Sequence, residues 1–451
     1  MIPVVTPARM AEVDAAAPEP TDVLIERAGA AVARAAAEEM GGRLGRRVVV
    51  VAGPGNNGAD GRAAARRLRR RGARVRVFSA IDALETLPAA DLYIDAAFGT
   101  GLSRPYTPPR RGRPDAPVLA VDIPSGLDGL TGEVLGGPVW PARRTVTFAA
   151  LKPGLLFGEG PAVCGETTVA DIGLAVGDDD GDACGLLTEA DIEPLPAGTG
   201  ATHKWHSAAL VVAGSPGMGG AAALACEAAV RSGARMIHLS TSAEAGTVSF
   251  IEAVRSEPPL AVDADRFAVC AAGPGMGTGE QAAKRLADAL ALDLPTVIDA
   301  DGLRLLHEPA VAAAMDRCRS RSVPVVLTPH DAELEAVTGS RPGPDRIAAA
   351  RAAAAQTQAV VLLKGGPTGV ADPRGRARIV SSGDARLASA GTGDVLTGMI
   401  AGRLAAFGPQ RLLHRVAEAA NLHGRAAGEA AGEAARLLAS DLLSALRTVT
   451  P

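Results

Sequence analysis

Lysine is almost missing from this chain. Of 451 residues, 46 are basic, and only Lys152, Lys204, Lys284 and Lys364 are lysine, which leaves 42 arginines. Such a bias reads as genome-wide composition. Where lysine survives it, the compact ammonium is expected to matter, because a guanidinium is no equivalent. Lys284 lies in the helical stretch EQAAKRLADAL and is expected at the surface; the other three sit in Gly-, His- or Pro-containing segments. Cysteine is equally sparse. The five, Cys164, Cys184, Cys226, Cys270 and Cys318, form no CxxC and are odd in number. That argues against a disulfide framework or a zinc knuckle and for small buried hydrophobes. No basic excess exists: the net charge is −4, which speaks against a nucleic-acid partner. No apolar run approaches the ~18 residues of a membrane span. The N-terminal stretch has no basic region followed by an apolar one, so no secretory signal is read there. The expectation is a cytoplasmic protein with neither a membrane nor a nucleic acid as partner.

What is present is ordinary globular material, 47% hydrophobic and 21% charged, so wholesale disorder is excluded. The length predicts two or three domains. Residues 10–40 read as two helices broken near Pro18 and Pro20. RVVVVA (Arg47–Ala52) reads as a buried strand, followed by a Gly-rich turn and a helix from Gly61 to Arg71. The arginines at 66, 67, 69, 70 and 71 read as a solvated face of that helix. Short apolar runs ending in Gly, Pro, Asp or Ser then alternate with helical stretches. This predicts an α/β fold with parallel sheets and function at the carboxyl edge. Residues 177–200, rich in Asp, Pro and Gly, have linker composition, separating domains at 1–176 and 201–451. A helix-rich tail runs from Asp394 to about Leu446.

Three strand ends in the first domain carry polar chemistry. GPGNNGADG (Gly53–Gly61) lies between a strand and a helix, where free N–H groups suit phosphate. DAAFGTGLSRP (Asp95–Pro105) and VDIPSGLDGLTG (Val121–Gly132) both begin where a strand stops. Together they offer Asn56, Asn57, Asp60, Asp95, Asp122 and Ser125. An oxygen-rich pocket with few carboxylates suits a hard, monovalent cation. These motifs, with TVTFAALKPGLL and VADIGL, resemble the NAD(P)H-hydrate epimerase family, the YjeF N-terminal domain. The resemblance spans nearly all of 1–176 and implies a Rossmann-like parallel-sheet sandwich. It implies potassium on Asn57, Asp95 and Ser125. It also implies hydrated nicotinamide nucleotide on Asn56, Asn57, Gly58, Ala59 and Asp60, on Gly99, Thr100, Gly101, Leu102, Ser103, Arg104 and Pro105, and on Asp122. Family members carry a second glycine where this chain has Ala59. The damaged cofactor bears a hydroxyl on C6, beside the ring nitrogen; that nitrogen expels the hydroxyl or the ring opens, so the centre inverts. Asp122 is the candidate general acid/base, a role typically contributing ~10²–10⁴ in rate. Lys152, in LKPG, is read as a phosphate contact, a surface residue or a domain-interface contact.

The sharpest motif of the second half is SAGTGDVLTG (Ser389–Gly398). Its backbone N–H groups form an anion hole for a transferring phosphoryl group, and Asp394 is placed to take a proton from the attacking hydroxyl. LKGGPT, TPHDAELEAVTG, AAGPGMG, VIDADGL and HKWHSAALVVAGSPGMGGAA end further strands. Together they resemble the ADP-dependent NAD(P)H-hydrate dehydratase family over roughly 200–445, which implies a ribokinase-like α/β sandwich. By that resemblance Lys364, Gly365, Gly366, Pro367 and Thr368, with the segment Asp384 to Gly393, bind the adenine nucleotide. Ala221, Gly275 or Gly277, His330 and Asp394 face the hydrate. HKWHSA departs from the family's HKG, and Lys204 receives no role.

The expected activity is repair of hydrated NAD(P)H. The first domain equilibrates the R and S hydrates, and the second dehydrates the S form with ADP and magnesium, giving AMP and phosphate. Phosphorylation of the C6 hydroxyl would make it a good leaving group. A small-alcohol kinase with a ligand-sensing or scaffolding N-terminal domain is the alternative. The partners expected are small-molecule nucleotides, and a homo-oligomer is expected.

Overall fold

The computed structural model describes residues 1–42, 45–82, 84–176, 183–196, 203–244, 246–432 and 436–451. The chain divides into two compact units, residues 2–179 and 180–451.

In the first unit six strands form one parallel sheet: β1 (Arg47–Ala52), β2 (Arg74–Ser79), β3 (Leu92–Ala96), β4 (Val118–Val121), β5 (Arg144–Phe148) and β6 (Glu166–Ala170), in the order β2-β1-β3-β4-β5-β6. The inner strands β1 (RVVVVA) and β4 (VLAV) are almost continuously apolar because both faces are covered, whereas the edge strands β2 (RVRVFS) and β6 (ETTVA) are not. Val48 and Val50 pack with helices α2 (Thr21–Glu39) and α3 (Asn56–Arg70), while Val49 and Val51 pack with Tyr93 and Trp140. Strand order reverses between β1 and β3, which opens a crevice at their carboxyl ends. Two helices occupy the N-terminal stretch as expected: α1 (Pro7–Ala15) ends before Pro18, and α2 follows Pro20.

One boundary differs from expectation. α3 begins at Asn56, not Gly61, so the Asn-rich segment is helical rather than a turn. Glycine and asparagine are poor helix formers, but close packing selects the helix here. A Cβ on Gly58 would collide with the Gly53 carbonyl oxygen. Ala59 is an ordinary helical residue whose N–H donates to the Gly55 carbonyl; no positive φ makes the family's glycine necessary.

In the second unit, ten described strands lie in the order β7-β16-β15-β14-β13-β12-β11-β8-β9-β10. They are β7 (Cys184–Leu186), β8 (Ala208–Val212), β9 (Met236–Ser240), β10 (Val254–Ser256), β11 (Val269–Ala272), β12 (Thr296–Ile298), β13 (Val325–Leu327), β14 (Val360–Leu363), β15 (Thr368–Ala371) and β16 (Ala377–Val380). Pairing is antiparallel only around β15. β7 corrects the linker expectation: its Asp- and Pro-flanked residues pair in parallel with β16 and extend the sheet. Residues 177–182 and 197–200 of that segment lie outside the described residues.

The tail forms α6 (Thr392–Phe407), α7 (Leu412–Ala431) and α8 (Ala439–Val449), with α4 (Gly219–Arg231) and α5 (Asp331–Thr338) preceding them. Every α6 residue from Val395 to Ala405 is buried, as expected of a helix apolar on nearly all sides; the exceptions, Thr397 and Arg403, are bonded to Asp299 and Glu418. α4 crosses it closely, and a Cβ on Gly398 would collide with the Ala225 carbonyl oxygen. No described helix is long and apolar enough to cross a membrane.

Candidate functional site

The first unit holds a cavity of about 650 Å³ at the β1/β3 crevice. Asn56, Asn57 and Asp60 from α3, Gly99, Thr100, Gly101 and Leu102 after β3, and Asp122 after β4 line it, as the motifs implied. A methyl group built on Gly99 would lie 3.2 Å from Asp122 Oδ2 and 3.5 Å from Asn57 Cγ, so these distant residues meet. Gly58 and Ala59 do not line the cavity, because the helix turns them elsewhere. Nor do Ser103, Arg104 and Pro105, which are exposed.

Asp122 sits at a strained position, with φ +66°. Such strain in a non-glycine residue persists only when surroundings enforce it. Here Asp122 Oδ1 accepts from Lys152 Nζ at 2.7 Å and from Thr147 Oγ1 at 3.0 Å. Lys152 is 1% exposed and also donates to Thr147 Oγ1 and the Phe148 carbonyl. It is thus the ion-pair partner of Asp122, neither a surface residue nor a free phosphate ligand. Burial, then the charges of Asp122 and Asp14, push Asp60 up to about 8.

Asp95 and Ser125 adjoin each other behind this cavity. Ser125 Oγ lies 2.6 Å from Asp95 Oδ1, and the Ser125 N–H donates to Oδ2 at 2.9 Å. Asp95 is 3% exposed, and burial raises its pKa above the ordinary carboxylate range. Both polar atoms of the Asn57 side chain are buried with no hydrogen-bond partner. Orphaned buried polar atoms call for a ligand.

In the second unit Asp299, after β12, and Lys364, after β14, meet the start of α6. No side chain caps α6, and Gly391 before it has φ +87°; the Thr392 N–H donates to the Ser389 carbonyl at 3.4 Å, which leaves those of Gly393 and Asp394 to meet an anion. Lys364 Nζ reaches this turn: a methyl group on Gly393 would lie 3.5 Å from it. Lys364 donates to Asp299 Oδ1 at 2.6 Å, and Thr397 Oγ1 donates to Asp299 Oδ2 at 2.6 Å. Asp394 opens α6 beside them. Burial and the nearby Asp299 and Asp301 charges outweigh Lys364 and hold its carboxyl up at about 7. His423 of α7 bonds the Thr392 carbonyl at 2.9 Å, and burial lowers it to about 4, so it is neutral.

The other expected residues are placed unequally. Ala221 and Gly275 adjoin, since a Cβ on Gly275 would lie 3.0 Å from Ala221 Cβ. Gly277 has φ +81°, and its N–H donates to Asp301 Oδ2 at 2.9 Å. His330 is the N-cap of α5: its Nδ1 accepts from the Ala332 and Glu333 N–H groups. Its Nε2 lies 3.4 Å from Glu333 Oε1. Gly365, Gly366, Pro367 and Thr368 form the turn after β14, with Thr368 Oγ1 donating to the Gly365 carbonyl. Sequence reasoning passed over Asp299, Thr397 and the cavity-lining Asp14. The first Asp of DAD at a strand end was a usable signal; Asp14 and Thr397, inside helices, gave none.

Residues 209–448 match the family described as NAD(P)H-hydrate dehydratase, and residues 21–85 and 78–154 match the YjeF-related protein N-terminus. The bifunctional NAD(P)H-hydrate repair enzyme Nnr of Mycobacterium leprae is 37% identical, covering 93% of this chain and 92% of its own. That of Gloeobacter violaceus is 35% identical, covering 86% of each. The crystal structure of the ADP/ATP-dependent NAD(P)H-hydrate dehydratase from Bacillus subtilis, co-crystallized with ATP and Mg²⁺, superposes with a TM-score of 0.51 at 32% identity. It covers 58% of this chain and 96% of that one. These relatives do not favour the small-alcohol kinase reading. The chain belongs to the bifunctional NAD(P)H-hydrate repair enzymes, in which a YjeF-related epimerase domain is joined to an NAD(P)H-hydrate dehydratase domain.

Proposed function

We propose that the two carboxylate centres divide the family's two reactions between them. At the first cavity, R and S hydrates of NAD(P)H are interconverted, with Asp122 moving a proton at the C6 hydroxyl. At the α6 turn, the S hydrate is dehydrated at the expense of ADP, giving NAD(P)H, AMP and phosphate. Asp394 takes the proton of the C6 hydroxyl as it attacks the ADP β-phosphorus. The α6 N–H groups and Lys364 balance the charge on the transferring group. The ring nitrogen's lone pair then expels phosphate, and the resulting iminium loses a proton from C5 to restore the ring double bond of NAD(P)H. The observation that carries this reading is Asp394 at the mouth of an uncapped helix, beside the Lys364–Asp299 pair.

Asn57, Asp95 and Ser125 fit a potassium ion: the orphaned Asn57 Oδ1 and a buried carboxylate with no cationic partner among the described residues are what a hard cation satisfies, while Nδ2, a donor, is left for another acceptor. Bound there, it would supply positive charge beside the nucleotide. Magnesium accompanies the ADP. We further read the chain as cytoplasmic and homo-oligomeric.

The decisive experiment mixes the protein with both NADH-hydrate epimers and ADP and follows absorbance. Full recovery of NADH requires both activities. Recovery that stops after the S fraction refutes the epimerase half, and no recovery refutes the dehydratase half.

A further inference from the structure

Arg285 lies on the helix Glu280–Leu290 and is only 6% exposed. No described carboxylate pairs with it, and burial lowers its pKa with no nearby acid to oppose the shift. What it holds instead is backbone. Nη1 donates to the Gly214 carbonyl at 3.1 Å, and Nη2 donates to the carbonyls of Ala213 at 3.3 Å and Ser240 at 3.1 Å. Nη1 also donates to Ser242 Oγ at 3.4 Å. Ala213 and Gly214 follow β8, and Ser240 closes β9, so one guanidinium ties two neighbouring strand ends together. A rigid fork of donors spans them; a compact ammonium does not.

An unpaired cation in a core is costly, and an apolar side chain fills such a helix position at lower cost. The bonds that Arg285 makes lead toward the second centre. Gly214, in the left-handed region at φ +74°, donates its N–H to the Pro274 carbonyl at 2.8 Å, and Ser215 Oγ donates to the Gly275 carbonyl at 2.9 Å. Gly275 packs on the start of α4, where its Cβ would lie 2.9 Å from Met218 Cβ and 3.0 Å from Ala221 Cβ. Two residues on, the Gly277 N–H meets Asp301, whose charge acts on Asp394. Residues 213–218 and 273–277 therefore form one wall, anchored on the guanidinium at one end and reaching the Asp394 turn at the other.

We propose that Arg285 is a positioning residue of the dehydratase, a buried clamp that sets the two loops against which the hydrate lies. The inference rests on the dehydratase reading above, with the hydrate seated at Ala221 and Gly275 as the motifs imply. Arg285 acts through the loops and not on a reacting atom. Releasing Gly214 frees Pro274 and Gly275 to shift, and a misplacement of ~1 Å is worth up to about 10²-fold. The loss falls on the hydrate. Lys364 and the turn after β14, which hold the nucleotide in that reading, are built on other partners.

The test uses the full chain with purified S hydrate, ADP and magnesium, and follows NADH absorbance. Arg285→Met keeps the reach of the side chain and removes its donors. It should raise KM for the hydrate by about 10–100-fold and leave KM for ADP and kcat unchanged. Arg285→Lys, which keeps the charge and fewer of the bonds, should fall between. Ser215→Ala cuts the tie to Gly275 alone and should raise the same KM, and the double variant should cost less than the product of the singles. A hydrate KM unmoved in folded Arg285→Met overturns the proposal. So does a parallel rise in both KM values, which marks a general loosening of the domain. Thermal unfolding reports whether each variant folds; where Arg285→Met does not, Ser215→Ala decides by the same two readings. A wild-type chain that recovers no NADH overturns the dehydratase reading itself, whereas recovery with unmoved variants overturns the inference alone.

Discussion

Lys364 and Asp299, 65 positions apart in the chain, form a 2.6 Å ion pair whose far carboxylate oxygen is held by Thr397 of α6. One carboxylate thereby fastens the end of β14 to the helix that opens with Asp394. The arrangement fixes an ammonium beside the first turn of that helix, and under the proposed dehydratase mechanism this is the preorganisation that makes electrostatic catalysis effective.

Replacing Asp394 with Asn keeps the side chain's size and removes its basicity. Recovery of NADH from the S hydrate with ADP should fall by about 10²–10⁴. Interconversion of the R and S hydrates by the same preparation should be unchanged. Dehydration near the wild-type rate would exclude Asp394 as the proton acceptor.

Dehydratase activity should depend on pH through that same carboxyl. Held up at about 7 by burial and by its Asp299 and Asp301 neighbours, Asp394 is protonated below and ionised above. As a base it works ionised, so kcat should rise as pH passes about 7. Stability runs the other way. A carboxyl raised on folding favours the fold while protonated, and that contribution disappears as pH rises through the folded value. Asp394→Asn should therefore melt above wild type near pH 8, with the gap closing toward about pH 4. Calorimetry at the two pH values checks the sign.

Lys364→Met should raise KM for ADP by roughly 10–100-fold, the worth of a charge-assisted contact. Asp299→Ala should raise it too, by releasing the ammonium from its place. Because the two act as one unit, the double variant should cost less than the sum of the singles. Strict additivity in that cycle would show that Asp299 does not act through Lys364.

Glu418 of α7 is wholly buried and receives Arg403 at 3.1 Å and Arg415 at 2.9 Å. Burial alone would raise its pKa, but His414, the Glu193 N–H and the two arginines outweigh that and hold it at about 2. Glu418→Ala leaves the buried Arg403 without its carboxylate, while Arg415 keeps its pair with Glu193, and should cost about 3–5 kcal/mol. The wild-type contribution is present above the ordinary glutamate range and is lost as pH falls toward about 2. Denaturant titration of the variant, and of wild type in acid, measures both.

Much of this was legible in the residues. RVVVVA had to be a buried strand, and the polar motifs after each strand had to share a sheet edge, because parallel strands point the same way. The helical start of α3 was not legible: GNNGAD has poor helix propensity, and only the approach of Gly58 to the Gly53 carbonyl, a tertiary fact, selects the helix. β7 was hidden for a similar reason. Three residues in an Asp- and Pro-rich stretch carry no periodic pattern, and their partner lies nearly two hundred positions onward. His330 was visible as polar at a strand end, but its use of Nδ1 to cap α5 follows from where the helix begins. Asp60 was visible as a ligand candidate. Its lack of a charge partner emerged only when Lys152 was seen to turn toward Asp122.

The near-absence of lysine has a practical side. Lys204 rests against Trp205 and Lys284 pairs with Asp288 at the surface, whereas Lys152 and Lys364 are each clasped by an aspartate at a different one of the two proposed centres. An amine-directed label therefore meets a background of two outer side chains and the chain terminus. Any slower modification would come from one centre or the other, making the pair a built-in reporter of which site a nucleotide has filled.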